Sequence, residues 1–101
     1  MPRAARTALI TGSNKNIGRA CALVLAKAGC NVVINGARDK AAAEGVANEA
    51  RALGVDALVA MGDVGRRDEC QRIAKDALAK FGTIDILVNN AAYTVTKPAW
   101  D

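Results

Sequence analysis

Between an apolar run and an amphipathic one stand Thr11, Gly12, Ser13, Asn14, Lys15, Asn16, Ile17 and Gly18 in succession. Where a strand hands over to a helix through such a stretch, backbone N–H groups and the positive helix end converge, and the chemistry they offer is the binding of an anion such as a phosphate. Gly12 allows a tight turn, and Gly18 allows helix and strand to pack closely. A glycine pair alone says little; its place inside a β-α-β unit gives it meaning, and the competing reading is a plain turn with a helix cap.

Other residues could act with this loop. Lys15 and Arg38 are cations able to pair with a phosphate, although single Lys and Arg residues are ordinarily solvated surface charges. Asn89 and Asn90 close the last apolar run, where they serve either a ligand or a polar turn. Asp63 is a candidate hydrogen-bond acceptor or a cap for the helix that follows, with Asp68 the better placed for that cap. Cys21, Cys30 and Cys70 lack C-x-x-C spacing and the chain has no His, so neither a disulfide framework nor a metal site is expected.

The elements that must position these groups alternate. Residues 7–11, 31–35, 55–60 and 84–89 are short apolar or β-branched runs, as buried parallel strands are. Between them come three helical periods. Ile17, Ala20, Cys21, Val24, Leu25 and Ala28 fall on one face of the first helix; Ala43, Val46, Ala47, Ala50 and Leu53 mark the second; Cys70, Ile73, Ala74, Ala77, Leu78 and Phe81 mark the third. Gly29, Gly54 and Gly82 stand where each helix should end.

The order β-α-β-α-β-α-β requires a parallel sheet, because each strand is reached through a crossover helix. The expected architecture is α/β: a Rossmann-type, doubly wound parallel sheet, truncated, with strand order 3-2-1-4. The reversal that puts the fourth strand beside the first is the habit of such sheets, and it opens a crevice between those two strands.

With 101 residues there is room for one domain. Phe81, Tyr93 and Trp100 are the only aromatic residues, so the core must be closely packed Ala, Val, Ile and Leu. The net charge of +4 is scattered, with no basic run or interleaved aromatics, which argues against nucleic acid and fits a small anionic ligand. The opening residues carry no apolar stretch of signal-peptide or membrane-span length, so no membrane association and a cytoplasmic, reducing setting are expected.

On these residues the chain resembles the short-chain dehydrogenase/reductase family, whose loop reads Thr-Gly-x-x-x-Gly-x-Gly. Gly62-Asp63-Val64, Asp85-Ile86-Leu87-Val88 and Asn89-Asn90-Ala91-Ala92 match in order. Within the family it looks like the N-terminal part of the 3-oxoacyl carrier-protein reductases. The resemblance implies that residues 1–101 are the N-terminal part of an NAD(P)-binding Rossmann domain. It also implies that Gly12, Ser13, Asn14, Lys15, Asn16, Ile17 and Gly18 hold the dinucleotide, that Asp63 accepts from the adenine amino group beside the Val64 backbone, and that Asn89, Asn90 and Ala91 line the same site. Two positions depart from the family pattern: Asn16 replaces the middle glycine and Ala92 the last one. Asn tolerates a left-handed backbone, so Asn16 keeps the turn if that is what glycine supplied; if a bare backbone is needed instead, it pushes the ligand outward.

NADP is expected in preference to NAD. A site that takes NAD has an acid at the end of the second strand, where Gly36 stands here, while Arg38 and Lys15 could hold a 2′-phosphate. Tyr93 and Lys97 have the spacing of the family's Tyr-x-x-x-Lys pair, but Pro98 and the run Thr94-Val95-Thr96 disfavour the helix that would align them. The family's Ser falls beyond residue 101, so no catalytic residue is assigned and this chain alone is expected to be inactive. The complete enzyme would act on a small carbonyl or alcohol. The uncovered fourth strand leaves room for a homo-oligomer. Two other readings remain open: a stand-alone dinucleotide-binding or regulatory module, and a flavodoxin-like domain with another nucleotide.

Overall fold

The computed structural model describes residues 5–90. Its elements are β1 (Thr7–Ile10), α1 (Asn16–Lys27), β2 (Asn31–Ile34), α2 (Lys40–Ala52), β3 (Ala57–Val59), α3 (Arg67–Phe81) and β4 (Ile86–Val88). All strand pairs are parallel, in the order β3-β2-β1-β4. The doubly wound sheet expected from the alternation is therefore present, including the reversal that seats β4 against β1. The strands are shorter than the apolar runs that predict them, since Val32 to Ile34 of β2 meet only Ala57 to Val59 of β3.

Alternate strand residues face opposite ways, and the two faces carry different helices. Ala8, Ile10, Val32 and Ile34 pack with Ala22 and Ala26 of α1 and Ala43, Val46, Ala47 and Ala50 of α2. Leu9 and Val33, with Ala60, pack with Ile73 and Ala77 of α3. Alanine on the buried helix faces lets the helices sit low on the sheet. Ile10, Ile34 and Ile73 are the bulkiest fully buried side chains, and truncating any of them to Ala should cost about 2–5 kcal/mol.

Helix α1 departs from the expected face. Gly18, Ala22 and Ala26 are buried, whereas Ile17 is 72% and Val24 67% exposed; Ala20 and Ala28 are also exposed, while Cys21 and Leu25 are partly buried. The helix is apolar nearly all round, so periodicity admits more than one inward stripe. Close approach to the preceding loop selects the stripe of smallest residues.

Asp68 does not cap α3. The cap position is Arg66, with extended backbone (φ −109°, ψ 125°), and Asp68 lies inside the first turn. Gly82 does close that helix, at φ 78° with its N–H donating to Leu78 O at 2.8 Å; Gly29 and Gly54 are likewise left-handed. At this same amino end of the strands, the Asp85 carboxylate accepts from Thr7 N at 2.9 Å and the Asp85 N–H donates to Thr7 O at 2.9 Å. The edge strand β4 has Leu87 65% exposed. Among the described residues no helix is long and apolar enough to cross a membrane.

Candidate functional site

A cleft of about 760 Å³ opens at the carboxyl ends of the strands, within the range of about 300–1,000 Å³ usual for small-ligand sites. Gly12, Asn14, Lys15, Asn16, Ile17, Arg38, Asp63, Val64, Asn89 and Asn90 line it, joined by Asn35, Asp39 and Gly62. Ser13 and Gly18, also expected at the site, are buried and do not line the cleft. Ala91, with Tyr93 and Lys97, lies outside the described residues.

The loop between β1 and α1 is shaped by two left-handed residues, Gly12 at φ 64° and Asn16 at φ 57°. Asn16 thus supplies the backbone turn that a glycine would, at lower steric cost than most side chains could manage. A Cβ on Gly18 would stand 2.2 Å from Gly12 O and 2.6 Å from Asn90 Nδ2. The bare backbone there lets α1 seat against the loop, and lets Asn90 Nδ2 donate to Gly12 O at 3.3 Å. Thr11 Oγ1 ties the same corner to β4 by accepting from Asn90 N at 2.9 Å and contacting Asn89 Oδ1 at 3.3 Å.

Ser13 points inward. Its hydroxyl donates to Ile10 O at 2.6 Å and accepts from Asn35 N at 2.9 Å, so only its backbone is left for a ligand. The first hydrogen bond of α1 runs from Arg19 N to Lys15 O at 3.3 Å, so the amides of Asn16, Ile17 and Gly18 precede the helical ladder. Lys15 provides no side-chain cap and the first turn holds no acidic residue. Unclaimed donors at a positive helix end are suited to an anion.

Lys15 and Arg38 are both exposed, and among the described residues neither is engaged in an ion pair. Gly36 is buried under Asn14: a Cβ there would lie 2.7 Å from Asn14 Cγ and Nδ2. An acid at that position would have to displace Asn14 from its buried seat. Asp39, which also borders the cleft, caps α2 by accepting from Ala42 N at 3.0 Å.

On the far wall, Asp63 Oδ1 accepts from Gly65 N at 2.8 Å and Asp63 N donates to Glu69 Oε1 at 2.9 Å. Its carboxylate therefore braces its own turn, not the start of α3, and stays exposed to the cleft. Arg72 Nη2 donates to Met61 O at 2.6 Å, holding the chain that leads into this wall.

Sequence reasoning did not single out Asn35, Gly36 as a packing position, or the hydrogen bonds that tie Thr11 to the end of β4. The available signal for Asn35 was a polar residue directly after the apolar run Val32-Val33-Ile34, where a side chain must find hydrogen-bond partners.

A parallel sheet ordered 3-2-1-4, with a glycine-shaped loop at the reversal and a cleft above it, defines a Rossmann-type domain. The family model for short chain dehydrogenase matches residues 6–101, and the chain belongs to that family of oxidoreductases. It is 42% identical over 89 residues to the 3-oxoacyl-[acyl-carrier-protein] reductase FabG of Staphylococcus epidermidis, covering 88% of this chain and 36% of that protein. Among solved structures it superposes on a putative short-chain dehydrogenase/reductase from Burkholderia xenovorans with a TM-score of 0.87 at 32% identity, covering 96% of this chain and 40% of that one. It is also similar to acetoin dehydrogenase YohF from Salmonella typhimurium, with a TM-score of 0.83 at 31% identity and the same coverage. The chain thus spans little more than a third of the length of the curated relatives it matches.

Proposed function

We propose that this chain is the N-terminal, cofactor-binding part of an NADP-dependent short-chain oxidoreductase whose complete form moves a hydride between NADPH and a carbonyl or alcohol. The observation that carries the reading is the amino end of α1, where uncapped amides without an acid in the first turn border a cleft that also holds Lys15 and Arg38, neither of them in an ion pair among the described residues. A dinucleotide fits these residues. The amides after Lys15 would take the diphosphate, and Asp63 would accept from the adenine amino group beside Val64. Asn89, Asn90 and Ala91 would meet the part of the dinucleotide that lies over β4.

Arg38 and Lys15 would hold a 2′-phosphate, Arg38 through its fork of donors. The contact of Gly36 with Asn14 supports the same preference, because the carboxylate that an NAD site places there would have to displace the Asn14 side chain. When bound, the nicotinamide supplies the hydride. The chain's own residues bind and orient it; no proton donor for a carbonyl is assigned here, and the isolated chain should bind cofactor without turnover. The name of the Staphylococcus relative makes 3-oxoacyl carrier-protein substrates the first to assay in a complete enzyme. A cytoplasmic setting goes with this reading.

The test is calorimetric titration of the purified chain with NADPH, NADH and FMN. NADPH should bind most tightly. Arg38→Ala should weaken NADPH by roughly 10- to 100-fold, the loss of about 1.5–3 kcal/mol for a charged hydrogen bond, and leave NADH nearly unchanged. Equal losses for both dinucleotides would overturn the preference, and binding of FMN alone would overturn the dinucleotide reading.

A further inference from the structure

Asn35 follows β2 and is 2% exposed, yet its carboxamide reaches two loops far from it in sequence. Oδ1 accepts from Gly12 N at 3.0 Å; Nδ2 donates to Ala60 O at 2.9 Å and to Gly62 O at 3.2 Å. Its backbone N–H donates to Ser13 Oγ at 2.9 Å. The side chain thus spends one acceptor and both donors on the loop that begins α1 and the loop that leads to Asp63. Asp is the same shape but brings no donor when ionised, Leu has neither group, and Ser or Thr is shorter with a single donor.

We infer that Asn35 is the positioning residue that sets the orientation of the Gly12 peptide and the separation of the cleft's two walls. The inference rests on the dinucleotide reading above. Because Asn35 holds the Gly12 N–H inward, anion donors begin later, at the start of α1. Because it also holds Ala60 and Gly62, the wall bearing Asp63 stands at one fixed span from that anion site. A dinucleotide presents diphosphate and adenine at a set separation, so its affinity depends on this span. The neighbouring contacts agree: Gly62 N donates to Gly36 O at 2.9 Å, closing the floor between the walls.

Asn35→Asp in the 101-residue chain gives a readout that a merely structural role would not move. The carboxylate keeps the bond from Gly12 N but sets negative charge against the carbonyls of Ala60 and Gly62. Protonation restores one donor. Burial among carbonyl oxygens raises the pKa of such a group, so the change should come above the ordinary carboxylate range. Lys15, Arg38, Asp39 and Asp63, the charged residues of the same cleft, are common to both proteins, so the ratio of variant to wild-type NADPH affinity removes their titration. That ratio should be at least tenfold lower in base than in acid, where one of the two donors is restored, with the variant still folded by thermal melting. A ratio that does not vary with pH overturns the inference, as does an Asn35→Ala variant that folds and binds NADPH like wild type.

Amide hydrogen exchange of Gly12 in the wild-type chain tests the hold without any ligand or variant. Protection comparable to that of β1 amides is expected, and rapid exchange overturns the inference even if neither variant folds. Should wild type bind neither NADPH nor NADH, the dinucleotide reading fails and the inferred control of affinity with it, whereas slow exchange at Gly12 would show that the hold on the loop itself stands.

Discussion

The junctions β1–α1 and β3–α3 lie at the same end of the sheet, and both lead a strand into the amino end of a helix without a side-chain cap, but they differ in the charge placed at that end. At α3 the first turn contains Asp68 and Glu69, and Glu69 also accepts from Asp63 N. Arg66 sits over those carboxylates, 3.3 Å from Glu69 and 3.9 Å from Asp68. That helix dipole is answered from within the protein. At α1 there is no acid in the first turn, so the field of the helix is not answered by a carboxylate of its own. On the proposed reading, what the β1–α1 turn lacks matters as much to anion binding as its glycines do.

The change expected to have the largest effect on this contrast is Gly18→Ala. The added methyl must push α1 away from Gly12 O, 2.2 Å distant, which should cost about 1–3 kcal/mol in stability and abolish saturable NADPH binding. Melting and titration of the same sample check it; unchanged binding would mean that the close seat of α1 is irrelevant to the site. A smaller effect should follow Ile17→Glu, which gives α1 the acid that α3 already has. Ile17 is exposed, so the fold should be unharmed or gain about 0.3–1 kcal/mol, while NADPH binding weakens roughly tenfold through charge repulsion. Binding that ignores the new carboxylate would erase the distinction between the two junctions.

The smallest effect is expected away from both junctions, at Asp56, where β3 begins. Its carboxylate accepts from Ala57 N at 2.8 Å and lies 3.4 Å from Lys80 Nζ. The Ala57 N–H first, and Lys80 after it, hold its pKa below the ordinary value, against a desolvation effect of opposite sign. A depressed pKa means stabilisation that is present above the unfolded value of about 4 and is lost as the pH falls through the folded one. Asp56→Asn should therefore lower Tm slightly at neutral pH, with the difference from wild type vanishing in acid and NADPH affinity unaltered. A difference that persists or grows in acid would contradict this assignment, and a change in affinity would mean that the two ends of the sheet are coupled.

Much of the fold was legible because it depends on local rules. Three helical periods, each closed by a glycine, and four short apolar runs suffice to require a parallel sheet, and α2 buries Ala43, Val46, Ala47 and Ala50 as its period predicts, while Leu53, just past its end, is exposed. The face of α1 was not legible, since a helix apolar on most sides has no single inward stripe until Gly18 meets Gly12. The cap of α3 was missed because Asp68 is a good capping residue whose place is taken by the extended backbone of Arg66. Most of the candidate site residues could be picked out and do line one cleft, but the inward turn of Ser13 and the bonds of Asn35 could not be foreseen from their neighbours.

By itself the sequence determined the succession of strands and helices and the kind of loop that joins the first pair, because these follow from side-chain period and from the few residues that accept a left-handed backbone. Only the tertiary structure decided that β4 lies against β1, that Asn14 covers Gly36 and that Asn35 spans two loops. Those outcomes depend on groups far apart in the chain: Asn35 bonds residues 23 and 27 positions away. No local propensity encodes such distances; they exist only once the sheet has aligned its strands.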